Sequence, residues 1–476
     1  MKKVYLLDLC LIVFLPFWVG YYDKPANMVA QEIILDDSKL QLVSIENIDG
    51  SRDVAGLLEA NITPTFVDGV DDIDPHRATL SPDGETIVFY RHDRERGVSM
   101  VCEYRFSSNS STCVEGDKEL LEFNGGWWSS DSRYVVLDMD INILQLGQEA
   151  DLTIYDTQTD TIINRTDDGV SASERVFEDD VRNRVWMDTA PIFAPNGDLY
   201  FFRNAIDTSV GEWRADLMRI AANEITNTTK PEVLWRHPAE GAFIVYRARD
   251  WYLDGTMSIS PDGKYLAIAS FDTSTTDNTN NTIWLFDLAQ QSMKTQIPVS
   301  RLGEAIMGIP TWLTEQITTT QLIGIIFSGL AWTDDNHLMI KASNFVYDTQ
   351  FFIPIFKYDV NTDTLESVYD FSFVSEDGYK PDITLFDEVS ISADISISMN
   401  VMSPSGQTMF YIGRDAITDT FVLSAISVVE SEFTTPRRIA TLTDYEPRSR
   451  IVTSVGYTAP TLRILTGTTL ITLTEQ

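Results

Sequence analysis

The sequence predicts an all-β protein with a β-propeller fold built from four-stranded blades. Three observations lead to this prediction: a turn motif that recurs along the chain, apolar runs after each copy, and a spacing between copies that suits one blade. The clearest copy is Ser81-Pro82-Asp83-Gly84, followed by Glu85-Thr86-Ile87-Val88-Phe89-Tyr90-Arg91. The motif recurs, twice with a degenerate sequence, at 129–132, 194–197, 260–263, 333–336 and 403–406.

The residue types of the motif predict a hairpin. Proline presets φ for an early turn position, and Asp-Gly or Asn-Gly supplies the left-handed residues of a tight turn. The β-branched and aromatic runs that follow are typical of strands buried in a packed sheet. A third apolar run ends in an aspartate at 152–156, 283–287 and 355–359, and a fourth, shorter run follows. Each repeat is therefore predicted to hold four strands.

The spacing of the repeats predicts the number of blades. The Asp position of the motif falls at 83, 131, 196, 262, 335 and 405, so the intervals are 48, 65, 66, 73 and 70 residues. Units of this length match propeller blades with extra residues in loops. Three further strand-like runs follow at 451–457, 462–465 and 470–473, and one isolated run lies at 40–45. We expect the N-terminal run to complete this last blade and close the ring, which favours seven blades over the alternative of six.

The repeat resembles the WD40-like (PD40) repeat of the TolB-type propellers, and the resemblance covers residues 40 to 475. It implies a propeller fold. Because that family combines protein-binding scaffolds with a few enzymes, it implies much less about activity.

Residues 1–30 are predicted to form a secretory signal peptide. Lys2 and Lys3 precede an apolar stretch from Leu9 to Gly20 that is too short to span a bilayer comfortably. An uncleaved N-terminal anchor is the alternative. Residues 31–476 are then one propeller domain, expected to be extracytoplasmic: secreted, periplasmic or attached to the cell surface.

Cys102 and Cys113 are the two cysteines beyond this N-terminal segment. They are predicted on the third and fourth strands of the first repeat, joined by a loop rich in Ser and Asn. In an exported chain this arrangement favours a disulfide that fastens one hairpin, with two free buried thiols as the alternative.

The composition narrows the range of partners. A formal net charge of −36 repels nucleic acid and anionic membrane surfaces. We therefore expect a monomer that binds a protein, peptide or glycan, with no nucleic acid and no membrane contact beyond a possible N-terminal anchor. No Walker loop, dinucleotide fingerprint, Cys-x-x-Cys or His-Glu-x-x-His motif occurs in the sequence, so no cofactor or metal site is predicted.

The candidate ligand-binding residues come from the ends of three second strands, at Arg91, Arg203 and Arg414, and from the long segments near them. In a propeller these segments are expected at the end of the sheets opposite the tight turns, and long loops on a rigid scaffold commonly carry binding. Arginine and aromatic side chains there can hold a carboxylate or a sugar. The alternative is that these arginines pair with neighbouring acidic residues. The candidates are Arg91, His92, Arg203, Trp213, Arg247, Trp251 and Arg414.

Two hypotheses of function follow. The favoured one is an exported, non-catalytic propeller that binds a protein, peptide or glycan through its long-loop face. The alternative is a propeller lyase or hydrolase that acts on a glycan or polyanionic substrate, with Arg91, His92 and Arg203 around a central channel. The sequence lacks a Gly-x-Ser-x-Gly nucleophile motif. No catalytic residue is therefore assigned, and a non-catalytic role is the expectation.

Overall fold

The chain folds into antiparallel β-sheets. Within the part that a computed structural model describes, the regular elements are thirty strands, one short α-helix and one 3-10 helix. The described residues are 40–47, 78–93, 98–108, 110–116, 123–139, 151–166, 185–207, 212–227, 229–236, 243–244, 257–272, 281–305, 326–333, 335–343, 345–347, 350–373, 408–415, 420–429, 432–433, 437–442, 452–466 and 469–475.

The first half of the chain supplies an N-terminal strand and three four-stranded sheets. The strands are β1 (Leu40–Asn47), β2 (Ala78–Leu80), β3 (Thr86–Asp93), β4 (Val98–Arg105), β5 (Ser110–Glu115), β6 (Phe123–Trp128), β7 (Tyr134–Met139), β8 (Thr153–Asp156), β9 (Thr161–Asn164), β10 (Val185–Phe193), β11 (Leu199–Asp207), β12 (Glu212–Ile220) and β13 (Glu232–Arg236). Sheet 1 contains β2 to β5, sheet 2 contains β6 to β9, and sheet 3 contains β10 to β13, each in sequential order. The 3-10 helix, Ala222–Glu224, follows β12.

The second half supplies four more sheets. Its elements are β14 (Phe243–Ile244), β15 (Met257–Ile259), β16 (Tyr265–Asp272), β17 (Thr282–Asp287), β18 (Ser292–Pro298), α1 (Val299–Ala305), β19 (Ile326–Trp332), β20 (His337–Ser343), β21 (Phe345–Tyr347), β22 (Gln350–Asp359), β23 (Thr364–Phe373), β24 (Thr408–Asp415), β25 (Thr420–Val429), β26 (Glu432–Phe433), β27 (Arg437–Leu442), β28 (Val452–Thr458), β29 (Thr461–Thr466) and β30 (Thr469–Glu475). Sheet 4 contains β14 to β18, sheet 5 β19 to β23 and sheet 6 β24 to β27, whereas sheet 7 has the order β1-β30-β29-β28.

The recurrent turn is held by one hydrogen-bond pattern. In sheet 1 the Ser81 hydroxyl donates to Asp83 Oδ1 at 2.5 Å and accepts from the backbone N–H of Thr86 at 2.9 Å. The N–H of Gly84, whose φ is +71°, donates to the Ser81 carbonyl at 2.8 Å. The serine–aspartate bond recurs in sheet 4 between Ser260 and Asp262 at 2.6 Å. These two hairpins are therefore closed through side chain and backbone together.

The degenerate copy at 129–132 forms the same turn. The Ser129 hydroxyl donates to Asp131 Oδ1 at 2.5 Å, and Ser132 takes the left-handed conformation, with φ +58°, where other copies have glycine. The hairpins predicted around 81–84, 129–132, 194–197, 260–263 and 333–336 are thus confirmed. The sixth copy, 403–406, lies outside the described residues.

Adjacent sheets bury their apolar faces against each other. Sheets 1 and 2 share a core that includes Val88, Val101, Trp128 and Tyr155. Equivalent clusters join sheets 2 and 3, sheets 3 and 4, sheets 4 and 5, and sheets 7 and 1. The first strands of the sheets also lie side by side: β2 between β28 and β6, β10 between β6 and β15, and β15 beside β19. Consecutive sheets therefore pack face to face, in the manner of propeller blades.

The two ends of the chain meet in sheet 7. β1 pairs antiparallel with β30, from Leu40 opposite Glu475 to Asn47 opposite Thr469. The same sheet is joined to the first turn motif, since the N–H of Tyr457 donates to the Pro82 carbonyl at 2.9 Å.

The contact between the first turn and sheet 7 brings two glycines together. A Cβ atom on Gly84 would lie 2.9 Å from the carbonyl carbon of Gly456, and one on Gly456 would lie 2.3 Å from the Ser81 carbonyl oxygen. Both distances are shorter than van der Waals contact, so the approach of these backbones requires glycine on both sides.

The predicted disulfide is present. Cys102 in β4 and Cys113 in β5 are directly opposite each other and bonded, with an S–S distance of 2.07 Å. Among the described residues, no helix is long and apolar enough to cross a membrane. The segment 1–30, predicted to be a signal peptide or anchor, lies outside the described residues, and a single domain over 31–476 stays a prediction.

The Gly84–Gly456 contact predicts unequal effects of two glycine substitutions. Gly84 and Gly263 have nearly the same φ, +71° and +70°, but a Cβ on Gly263 would meet only a proline side chain at 3.5 Å. We expect Gly263→Ala to cost about 1 kcal/mol for its backbone conformation and Gly84→Ala to cost about 1–3 kcal/mol more because of the clash. Chemical denaturation of both variants measures the difference, and equal losses would contradict the contact.

The disulfide predicts a redox-sensitive stability. Reduction of the wild type should lower its free energy of unfolding by up to about 3 kcal/mol, because the opened chain regains conformational entropy. The Cys102→Ala/Cys113→Ala variant should show the lower stability with or without reductant. Unfolding curves with and without dithiothreitol test this expectation, and an equal reductant effect on both proteins would rule out the bridge as its source.

Candidate functional site

The two ends of the sheets differ in how their connections are built. We call the end that carries the turns 81–84, 129–132, 194–197, 260–263 and 333–336 the turn face, and the opposite end the long-loop face. The connections between third and fourth strands also lie on the turn face. For example, the N–H of Thr157 donates to the Arg133 carbonyl at 3.0 Å, and that of Leu288 donates to the Lys264 carbonyl at 2.9 Å. This arrangement agrees with the sequence-based expectation.

Polar groups of the turn face are used to join neighbouring sheets. The N–H of Asp83 donates to the Ser132 hydroxyl at 3.2 Å, and the Ser130 hydroxyl donates to the Pro195 carbonyl at 3.4 Å. Arg463 of sheet 7 donates to the Gly84 carbonyl at 2.7 Å. The turn groups that make these bonds are therefore already hydrogen-bonded within the protein and are less available to a ligand.

The acidic side chains of the turn face also have internal partners. Arg133 Nη2 lies 2.8 Å from Asp156 Oδ2. Burial acts to raise the pKa of Asp156, but hydrogen bonds from Arg133 and from the N–H of Gln158 outweigh burial and hold the pKa below its ordinary value. Hydrogen bonds from Arg301 and Tyr358 likewise lower the pKa of Asp363. These carboxylates are therefore compensated within the fold.

Arg203 is the candidate residue whose side chain the structure describes. It lies in β11 towards the long-loop face, and its Nε and Nη2 each donate to one oxygen of Asp188 in β10 at 2.7 Å. The Asp188 side chain is 3% exposed and that of Arg203 is 14% exposed. For Arg203, the structure therefore shows the alternative given above, in which an arginine pairs with a neighbouring acidic residue.

The ion pair is part of a charged row that crosses sheet 3. Arg203 is directly opposite Asp188 in β10 and opposite Asp216 in β12, and Asp216 is opposite Arg236 in β13. Arg236 Nε donates to Asp216 Oδ1 at 3.0 Å. Positive and negative charges thus alternate from the first strand to the last, and each buried aspartate lies beside an arginine.

The side chains of four other candidates are not described, although their backbones are. Arg91 is opposite Met100, and His92 opposite Ser99, in sheet 1. Trp213 is opposite Ile206 in sheet 3, and Arg414 is opposite Phe421 in sheet 6.

The two remaining candidates, Arg247 and Trp251, lie outside the described residues, and convergence of the seven on one ligand stays a prediction. Arg203 lies inside a strand and not at its end, because β11 extends to Asp207 and β12 begins at Glu212.

Sequence reasoning missed Asp188, Asp216 and Arg236. Their identities are visible in the sequence, but the row depends on the register of four strands, which local patterns do not specify. The available signal was two aspartates and two arginines inside runs that otherwise read as strands. Among the described residues, no group of three or more His, Cys, Asp or Glu side chains could hold a metal ion.

Comparison with known proteins gives similarity of fold only. No family model and no curated protein matches the sequence. Among solved structures, polysaccharide lyase Uly1 is 11% identical, with a TM-score of 0.45, covering 91% of this chain and 99% of that one. The Nup133 β-propeller domain of Vanderwaltozyma polyspora is 11% identical, with a TM-score of 0.41, covering 85% of this chain and 94% of that one. A chain of the mitotic checkpoint complex is 11% identical, with a TM-score of 0.44, covering 91% of each. With its face-to-face antiparallel sheets, the chain has a β-propeller fold.

The charged row predicts unequal effects of two arginine substitutions. Arg203→Met should cost about 3–5 kcal/mol of folding stability, because it leaves Asp188 buried without its partner. Arg301→Met is the control: its partner Asp363 is 62% exposed and stays hydrated when the pair is broken, so the loss should be about 1 kcal/mol or less. Urea denaturation of the two variants provides the measurement. Similar small losses for both would show that Arg203 is not a structural residue.

Proposed function

We propose that this protein is an exported, non-catalytic β-propeller that binds a protein, peptide or glycan through its long-loop face. The proposal includes a closed ring of seven blades, one for each described sheet. The pairing of β1 with β30 supports closure, because it joins the N-terminal strand to the last sheet. The bond from Tyr457 to Pro82 supports it too, because it joins the last sheet to the first.

The observation that carries the proposal is the use of the turn face for contacts between sheets. Backbone groups there at Pro82, Asp83, Gly84 and Pro195 are bonded to neighbouring sheets. The longer connections join strands at the opposite end of the sheets. Recognition is therefore best supported on the long-loop face.

Two features support an extracytoplasmic location. The Cys102–Cys113 disulfide suits an oxidising compartment, and the first twenty residues have the composition of a secretory signal. We propose a monomer, secreted, periplasmic or attached to the surface, and a net charge of −36 favours partners other than nucleic acid.

A lyase or hydrolase is the weaker candidate. That hypothesis places Arg203 in a central channel together with Arg91 and His92. The ion pair with Asp188 uses two guanidinium nitrogens of Arg203, which favours a supporting role for this residue over contact with substrate.

The binding proposal is tested with surface variants that spare the charged row. The protein is isolated from its native envelope after mild crosslinking, and co-purifying molecules are identified by mass spectrometry. We expect a stoichiometric partner that is lost from Arg91→Ala/Arg247→Ala/Arg414→Ala, because these candidates belong to the proposed binding face.

The control removes three positive charges from exposed positions on or near the turn face, Lys230, Lys264 and Lys294, each replaced by Ala. It should retain the partner. Loss of the partner from both variants would point to overall charge instead of a binding face. Recovery of the protein alone would count against the scaffold role and call for assays of lyase and hydrolase substrates.

A further inference from the structure

The boundary between sheets 1 and 2 contains a buried carboxyl group with an unsatisfied oxygen. Glu103 lies in β4, and its side chain is 3% exposed. Its Oε1 accepts a hydrogen bond from Arg105 Nε at 2.7 Å, whereas its Oε2 is buried without a hydrogen-bond partner. An unpaired oxygen of a buried carboxylate loses its hydration and gains nothing in return.

Groups from both sheets surround this carboxyl. Arg105, on the same strand as Glu103, is 42% exposed and also donates to the Thr157 carbonyl of sheet 2. Tyr155 of sheet 2 is fully buried, and its hydroxyl donates to Asp160 Oδ1 at 3.1 Å. Arg105, Tyr155 and Asp160 are the charged and titratable groups that act on Glu103. The network therefore extends across the boundary.

The charge balance at this site favours a bound proton. Burial raises the pKa of Glu103 and outweighs the opposing hydrogen bond and positive charge of Arg105; the negative charge of Asp160 adds to the rise, and the nearby Tyr155 hydroxyl opposes it to a smaller extent. Arg105 compensates for burial only in part, because its Nε bonds to Oε1 and leaves Oε2 without a hydrogen bond.

We propose that Glu103 is a proton-binding site that strengthens the contact between sheets 1 and 2 when the surroundings become mildly acidic. A proton from solvent binds Oε2, which removes the buried negative charge and turns an unsatisfied acceptor into a donor. The Tyr155 hydroxyl, which donates to Asp160, keeps a lone pair that can accept this bond.

The sign of the pH effect follows from linkage. The folded protein holds the proton at a pH where the unfolded chain, with an ordinary pKa of 4.5, has lost it. Stability from this site therefore increases as the pH falls through the folded pKa, and the gain is complete below the unfolded value. This trend is opposite to that of Asp156 and Asp363, whose lowered pKa values make stability fall in acid.

Thermal unfolding of wild type, Glu103→Gln and Glu115→Gln between about pH 8 and pH 4.5 tests the proposal. Glu115, on the adjacent strand β5, is exposed and serves as the control. We expect the melting temperature of the wild type to rise relative to Glu103→Gln as the pH falls, because glutamine cannot take up the proton. The Glu115→Gln control should not show this change relative to wild type. A constant difference between wild type and Glu103→Gln would overturn the proposal.

Infrared titration of the wild type provides a test that does not require the variant to fold. A protonated carboxyl band should appear at a pH above the ordinary range of glutamate, persist in Glu115→Gln and shift in Tyr155→Phe, which lacks the proposed acceptor. If all carboxyl groups of the folded wild type protonate within the ordinary range, Glu103 is not a proton-binding site of this kind.

Discussion

The hydrogen-bonded turn that ends each first strand is the constraint on which the arrangement of sheets depends. The bond between Ser81 and Asp83 holds the turn, and the Pro82 carbonyl of this turn accepts a hydrogen bond from Tyr457 of sheet 7. The turn conformation itself tolerates sequence change, since Ser132 takes the left-handed position that glycine holds in other copies. It does not tolerate a side chain where two backbones touch, as at Gly84 and Gly456. The same turn residues therefore close the hairpin and allow the neighbouring sheet to pack against it.

The fold was more predictable than the site. The hairpins of the fold depend on residues close together in the sequence, whereas the site depends on residues that are far apart in it. Hairpins arise from residues next to each other in the chain. Proline, aspartate and glycine therefore predicted the turns, and the recurrence of the motif predicted the sheets. The cross-strand pair Cys102–Cys113 was predictable for the same reason, since a short loop joins its strands. The row through Asp188, Arg203 and Asp216 depends on the register of several strands, which is set by tertiary packing. Asp160 and Asp363 take left-handed backbone conformations although neither is glycine, so these conformations could not be predicted from the sequence either.

Buried charge follows one rule in this acidic chain. Asp188 and Asp216 are buried where an arginine on the adjacent strand lies directly opposite, so desolvation is offset by short charge-assisted hydrogen bonds. Glu103 departs from this rule, because its arginine is two residues away on the same strand and its Oε2 accepts no hydrogen bond. The described arginines are thus mostly committed to the fold. A cationic side chain on the long-loop face is therefore weak support for an anionic ligand until its internal partner is known.

The separation of stability from recognition follows from where the arginines and turns lie. Several of the described bonds between neighbouring sheets lie on the turn face, and the charged row lies within sheet 3 instead of in a loop. Recognition is proposed for residues at the opposite end of the sheets. A ligand contact made by such residues would be altered by substitutions that leave the melting temperature unchanged. Loss of binding through Arg203 would instead be accompanied by loss of stability, which makes the two roles of an arginine in this fold separable by experiment.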